Sequence, residues 1–240
     1  MTRLFAAVVI LVVGATTFLA GCSTGGGGNN TRLLPTDEPT SAASAPAASP
    51  GGVPSAPAGS GTASGSCPTS QPPALGAGQK RVVTIETAKG KIQITIEADL
   101  SPIAAGNFVA LAGCGFYDGV VFHRVATLQD GTPFVIQGGD PTGSGSGGPG
   151  YEIQDEPVTT IYKRGTVAMA RTAAPNSVGS QFFIVLDDKD RAVLESANTY
   201  QIIGSVTLGM DPVDAIYKAA GGQELPPSPI AMDKVTVSTP

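Results

Sequence analysis

One histidine, His123, three cysteines and no tryptophan occur in 240 residues. A single imidazole excludes His-rich metal sites and any chemistry that needs paired imidazoles. Cys22, Cys67 and Cys114 have no nearby partners and match no structural zinc spacing. Basic charge is sparse and scattered: 14 Lys and Arg stand against 19 Asp and Glu, for a net −5. No nucleic-acid footprint survives that count. The run Gly143-Ser144-Gly145-Ser146-Gly147-Gly148 lacks a following Gly-Lys-Ser/Thr, so it reads as a flexible surface loop and not a phosphate cradle. Asp187-Asp188-Lys189-Asp190 reads as a solvated turn in preference to a calcium loop. Neither a metal nor a cofactor is expected.

Long apolar runs are equally scarce, and the one present lies at the N-terminus. After Met1-Thr2-Arg3, Leu4–Leu19 is almost wholly apolar, and Leu19-Ala20-Gly21-Cys22 follows. That run falls short of the roughly 20 residues a helix needs to cross a bilayer, and it suits the core of an export signal. The tetrad resembles the bacterial lipobox at all four positions. Residues 1–21 are thus expected to be a signal peptide, with Cys22 the lipid-bearing first residue of the mature chain. Several acyl chains give stable anchoring where one is marginal. The expected location is the extracytoplasmic face of the cell membrane, held through N-terminal lipid only.

From residue 22 to 79 the chain is Gly, Ser, Ala, Pro and Thr with very few charges. No hydrophobic period appears, so a disordered linker is expected there. Cys67 and Cys114 are compatible with a disulfide in an oxidising compartment, and equally with a buried Cys114 beside an unpaired Cys67.

The folded part is expected at 80–240. Val82–Thr87 and Lys91–Glu97 flank Ala88-Lys89-Gly90 as a hairpin, with Ile92, Ile94 and Ile96 on one face. Ser101-Pro102 starts a helix, with Ser101 as N-cap and Gly113 as its stop. Short strands follow near 120–125, 134–137, 166–170, 182–186 and 200–205, then a second helix near 208–220 and a last strand at 235–237. Many short strands, two helices and no βαβ rhythm predict a mainly β protein: a closed eight-stranded antiparallel barrel capped by two α-helices.

Phe122-His123-Arg124-Val125, Phe134-Val135-Ile136-Gln137-Gly138-Gly139-Asp140-Pro141, Gly165-Thr166-Val167-Ala168-Met169-Ala170 and Gly179-Ser180-Gln181-Phe182-Phe183 occur in that order. On these blocks the chain from about Val82 to Val237 resembles the cyclophilin-type peptidyl-prolyl cis-trans isomerases. The resemblance implies a proline-binding groove on the outside of the barrel and proline-containing polypeptides as partners of a monomeric enzyme. It makes Arg124 the catalytic arginine and Gln137 a groove hydrogen-bonding residue, and the chemistry gives Gln137 the task of orienting Arg124. Phe134, Val135, Phe183 and Leu194 become the walls of the proline pocket, and Gln181 a groove hydrogen-bonding residue. Ala170 and Arg171 form the edge that holds the preceding substrate residues, and Tyr200 stands where many members carry histidine. Val193 replaces a frequent tryptophan, which predicts weaker binding of bulky cyclic-peptide inhibitors such as cyclosporin. His123 alternates to the face opposite Arg124 and is read as structural or surface. Two non-enzymatic alternatives stand beside the enzyme: a prolyl-peptide binding module that uses the same groove, and a surface chaperone that acts through contacts elsewhere on the surface.

Overall fold

The computed structural model describes residues 66–240. The signal segment, Cys22 and linker residues up to 65 lie outside them. Along the chain come β1 (Lys80–Thr87), β2 (Gly90–Glu97), α1 (Pro102–Cys114), β3 (Arg124–Thr127), β4 (Pro133–Gly138), β5 (Thr166–Met169) and β6 (Phe182–Val185). A 3-10 turn (Asp188–Asp190), α2 (Arg191–Ala197), β7 (Ile202–Leu208), α3 (Met210–Ala219) and β8 (Lys234–Ser238) complete it.

The hairpin forms as its alternation requires. Thr87 pairs with Gly90 across a two-residue connection, and Ile92, Ile94 and Ile96 are fully buried. Helix α1 begins at Pro102, but the Ser101 hydroxyl makes no cap. The Glu156 carboxylate caps instead, accepting from the Ile103 and Ala104 amides at 2.8 and 2.9 Å. A carboxylate at a helix N-terminus satisfies orphan donors and favours the dipole. The helix runs past Gly113 and stops where Gly115 turns left-handed at φ 85°.

All eight strands form one antiparallel sheet in the order β3-β4-β6-β5-β7-β2-β1-β8. The expected closed barrel needs correcting: among the described residues no ladder joins the two ends of that order, β3 and β8. The segment ahead of β8 contains Pro226, Pro227 and Pro229, which have no N–H to give a ladder. Separate bonds span the seam instead. The Phe122 amide donates to the Ile230 carbonyl at 2.9 Å, Met232 to Val120 at 2.8 Å, and Val125 to Glu224 at 2.8 Å. The main core lies between the inner sheet face and α1 and α3, with Phe108, Leu111, Val213 and Ile216 contributed by the helices.

Composition places residues 66–79 in the linker, yet they lie along the domain. Cys67 is disulfide-bonded to Cys114, Leu75 packs against the core, and the Leu75 amide donates to Pro102 O at 2.9 Å. A Cβ on Gly106 would come within 2.4 Å of Pro73 O, so this strap needs glycine beneath it.

Where two helices are expected, the described residues hold three. The seven residues of α2 follow a reciprocal capping box between Asp187 and Asp190, and only the outer residues of that turn are solvated. Asp190 is fully buried, its Oδ2 accepts from the Asp187 amide at 3.0 Å, and its Oδ1 has no partner. Burial pushes its carboxyl up to about 7; the Asp187 amide opposes this, and the Asp187 carboxylate adds to it. A folded pKa raised above the ordinary carboxylate value stabilises below about pH 4 and loses that contribution as pH rises toward 7. The advantage of Asp190→Asn over wild type is therefore expected to be small near pH 4 and to grow by on the order of 2–4 kcal/mol as the pH rises to 8. Urea unfolding at several pH values measures it, and a pH-independent difference refutes it.

Candidate active site

Arg124, Gln137, Phe183 and Ala168 are successive cross-strand partners across β3, β4, β6 and β5. Directly opposed residues in an antiparallel sheet share a face, so this row stands together on the outer side. Their neighbours Val125, Ile136, Ile184 and Val167 point into the main core.

A chain of hydrogen bonds runs along one end of the row. Arg124 Nη1 donates to Gln137 Oε1 at 3.3 Å, and Gln137 Nε2 donates to Gln181 Oε1 at 2.9 Å. Gln181 Nε2 donates in turn to the carbonyls of Gly145 and Gly147, at 3.0 and 2.9 Å. On its other side the Arg124 guanidinium pairs with Glu224, through Nε at 2.7 Å and Nη2 at 2.6 Å.

The Gly-Ser loop is therefore less free than its composition suggests. Asp140 gathers it, Oδ1 accepting from the Thr142 amide at 2.7 Å and Oδ2 from the Gly145 and Gly147 amides at 2.6 and 3.0 Å. Burial pushes the Asp140 carboxyl up, but those amides and the Thr142 hydroxyl outweigh it and hold the group at about 2. A Cβ at position 147 would fall 2.1 Å from Asp140 Oδ1, so only glycine fits there.

Beside this chain lies a second apolar cluster, separate from the main core. It contains Phe134, Val135, Ala170, Phe183, Leu194 and Tyr200, backed by Tyr162, Ala168 and Ile202. The Phe183 and Tyr200 rings meet edge to face at 5.3 Å. Tyr162 Oη donates to Tyr200 O at 2.8 Å and pins that backbone. Burial raises the Tyr200 phenol above its ordinary value, while the guanidinium groups of Arg124 and Arg171 pull it down. Phe134 and Phe183 are only 3% and 2% exposed, so they form a floor whose edges alone meet solvent.

A cavity of about 680 Å³ opens next to this floor, and neither Phe134 nor Phe183 lines it. Gln137, Gln181, Ala170 and Arg171 line it together with the Gly-Ser loop. Arg171 does less there than its charge suggests. Its Nη1 pairs with Asp155 at 3.0 Å, and Nη2 donates to Ala174 O at 2.7 Å. The side chain braces the turn that follows it, through Thr172 O and Ala174 O.

Apart from Arg171, the side chains expected in the groove fall in two abutting groups, the polar chain and the apolar floor, joined where Gln137 opposes Phe183. His123, read as structural or surface, is buried with both ring nitrogens unpartnered, and burial lowers its pKa. Sequence reasoning missed Glu224, Asp140, Tyr162 and Asp155. Of these only Asp140 leaves a local trace, an aspartate two residues before Thr142 at a glycine-rich turn. Among the described residues no group of three or more His, Cys, Asp or Glu side chains is placed to hold a metal ion.

The family model described as cyclophilin type peptidyl-prolyl cis-trans isomerase/CLD matches residues 82–237. The chain is 38% identical over 183 residues to a probable peptidyl-prolyl cis-trans isomerase A of Mycobacterium leprae, covering 67% of this chain and 93% of that protein. It is 36% identical over 173 residues to peptidyl-prolyl cis-trans isomerase A of Mycobacterium tuberculosis, covering 65% and 91%. Among solved structures, a cyclophilin type peptidyl-prolyl cis-trans isomerase of Cryptosporidium parvum superposes with a TM-score of 0.58 at 28% identity, covering 67% of this chain and 99% of its own. The same protein crystallised in the presence of the dipeptide Ala-Pro gives 0.57 at 28% identity, covering 66% and 99%. With a match that runs from β1 to β8 and encloses the whole Arg124–Phe183 row, this chain belongs to the cyclophilin-type peptidyl-prolyl cis-trans isomerase family.

Proposed function

We propose that this isomerase turns X-Pro bonds in exported or surface polypeptides while held by lipid on Cys22 at the outer face of the cell membrane, with Arg124 as its catalytic group. The observation that carries the mechanism is the placement of a braced guanidinium beside an apolar floor. Rotation about X-Pro passes through a twisted state in which amide resonance is lost, at a barrier of about 18–20 kcal/mol. The prolyl nitrogen then regains a localised lone pair. An N–H of Arg124 bonds to that lone pair only in the twisted state, so the interaction lowers the barrier without tightening the ground state. No covalent bond forms, and no nucleophile is called for.

The Phe134–Phe183 floor holds the pyrrolidine ring, whose φ is already fixed, while the preceding residue swings. Gln137 keeps Arg124 aimed, and Gln181 with the backbone at Ala170 and Arg171 holds the chain ahead of proline. Residues 1–22 favour export and lipidation through their apolar run and the Leu-Ala-Gly-Cys tetrad.

Two measurements test the whole reading. Wild-type protein is expected to speed cis/trans exchange of an Ala-Pro-Phe peptide far above background, and binding without faster exchange makes the groove a recognition module. Mass analysis of the membrane fraction is expected to show an acylated Cys22 terminus, and an unmodified Met1 or Thr2 terminus removes the anchor.

A further inference from the structure

Glu224 lies 100 positions from Arg124 in sequence, is 61% exposed at its side chain, and places its carboxylate on the catalytic guanidinium. An ion pair this exposed adds little to stability in general. Its geometry, however, is specific.

The backbone of Glu224 is held first. Gly221 and Gly222, at φ 61° and 81°, reverse the chain after α3, and the Glu224 carbonyl then accepts the Val125 amide at 2.8 Å. It thereby supplies the edge strand β3 with a partner one residue beyond Arg124. The side chain starts from a fixed point, so little rotamer freedom is lost in reaching the guanidinium.

Donor arithmetic then separates bracing from blocking. A guanidinium has five N–H groups. Glu224 Oε1 takes one on Nε and one on Nη2, and Gln137 Oε1 takes one on Nη1. Two remain, one on each terminal nitrogen, and Gln137 draws that terminal end toward the cavity it lines. A carboxylate that competed with substrate would sit on the terminal pair. This one sits on the Nε side and leaves the pair open.

We propose that Glu224 is a positioning residue: it grips the Nε side of Arg124, and with Gln137 it fixes the plane in which the guanidinium meets the prolyl nitrogen. Gln137 alone leaves the group free to swing about the bond it makes through Nη1. Two partners on different edges remove that freedom. The inference rests on Arg124 being the catalytic group.

The test compares Glu224→Ala, Glu224→Gln and Glu224→Lys with wild type in peptide exchange, with melting followed in parallel. Removing one of two braces is expected to lower kcat about tenfold with KM changed less than about twofold, because a misplaced catalytic group loses rate before it loses binding. Glutamine keeps an oxygen acceptor at the same reach and is expected to recover kcat to within about threefold of wild type. Lysine repels the guanidinium and is expected to lose at least as much as alanine. Melting temperatures stay together, as the position is exposed.

An alanine variant with kcat within about twofold of wild type overturns the inference, and so does one that is faster, which makes Glu224 a brake. A glutamine variant as slow as alanine also overturns it. Arg124→Ala in the same series separates the two readings: if it retains activity, the catalytic assignment falls, and if it alone is inactive, only the role of Glu224 falls.

Discussion

Arg124→Ala is expected to lower kcat/KM for prolyl exchange by about 10²–10³-fold while leaving the fold in place, since loss of one preorganised donor to a transition state has that size. The side chain is 16% exposed at an outer position of an edge strand, and it fills no part of the main core. Its backbone pairing to Gln137 is unaffected by the substitution. Melting is therefore expected to move little. Peptide affinity should fall much less than rate, because the Phe134–Phe183 floor, proposed to hold the proline ring, is untouched. Arg124→Lys is expected to resemble alanine more than wild type. A lysine ammonium is a point charge on a flexible stem and cannot grip Glu224, meet Gln137 and donate to substrate in one plane. Line-shape or protease-coupled exchange assays read the rate. Equal rates for wild type and Arg124→Ala would leave the guanidinium without a catalytic role.

Reducing the Cys67–Cys114 bond, or replacing Cys114 with serine, is expected to lower the unfolding free energy by about 2–4 kcal/mol. The link closes a segment of 47 residues that contains β1, β2 and most of α1. Opening it returns loop entropy to the unfolded chain, and it also frees the strap. That strap otherwise places Leu75 on the core and receives the Gln154 amide on Gln71 Oε1 at 2.9 Å. No strap residue belongs to the groove, so exchange activity at 25 °C is expected to change less than about twofold. Urea unfolding with and without reductant gives the stability, and coincident curves would refute the effect.

Much of this was legible before the fold. The hairpin follows from strict alternation at Ile92, Ile94 and Ile96, and α1 from Pro102 and the apolar stretch after it. The groove was legible through its sequence blocks: Arg124, Gln137, Gln181 and Phe183 each sit in a short strand or turn that carries its own pattern. What stayed hidden depends on distant pairs. Glu156 caps a helix that starts 54 residues earlier in the chain, at Pro102, and the Glu224 contact forms only after α3 has crossed back to the sheet. Helix α2 buries a single side chain, Leu194, so no periodic stripe announces it. The strap at 66–79 shares the composition of the linker, and one leucine, one disulfide and a glycine in the facing helix distinguish it. Barrel closure failed as an expectation because counting strands says nothing about which ends meet, and prolines occupy the seam.

The cross-link also decides where a mechanical load enters the domain. Tension applied through the chain ahead of residue 67 passes across the sulfur bridge to Cys114, at the last turn of α1. Residues 68–113 form a closed loop off that path and carry no pull while the bridge is intact. The β1–β2 hairpin, which lies within that loop, is shielded from an N-terminal tug. In a reducing medium the same tug reaches β1 directly.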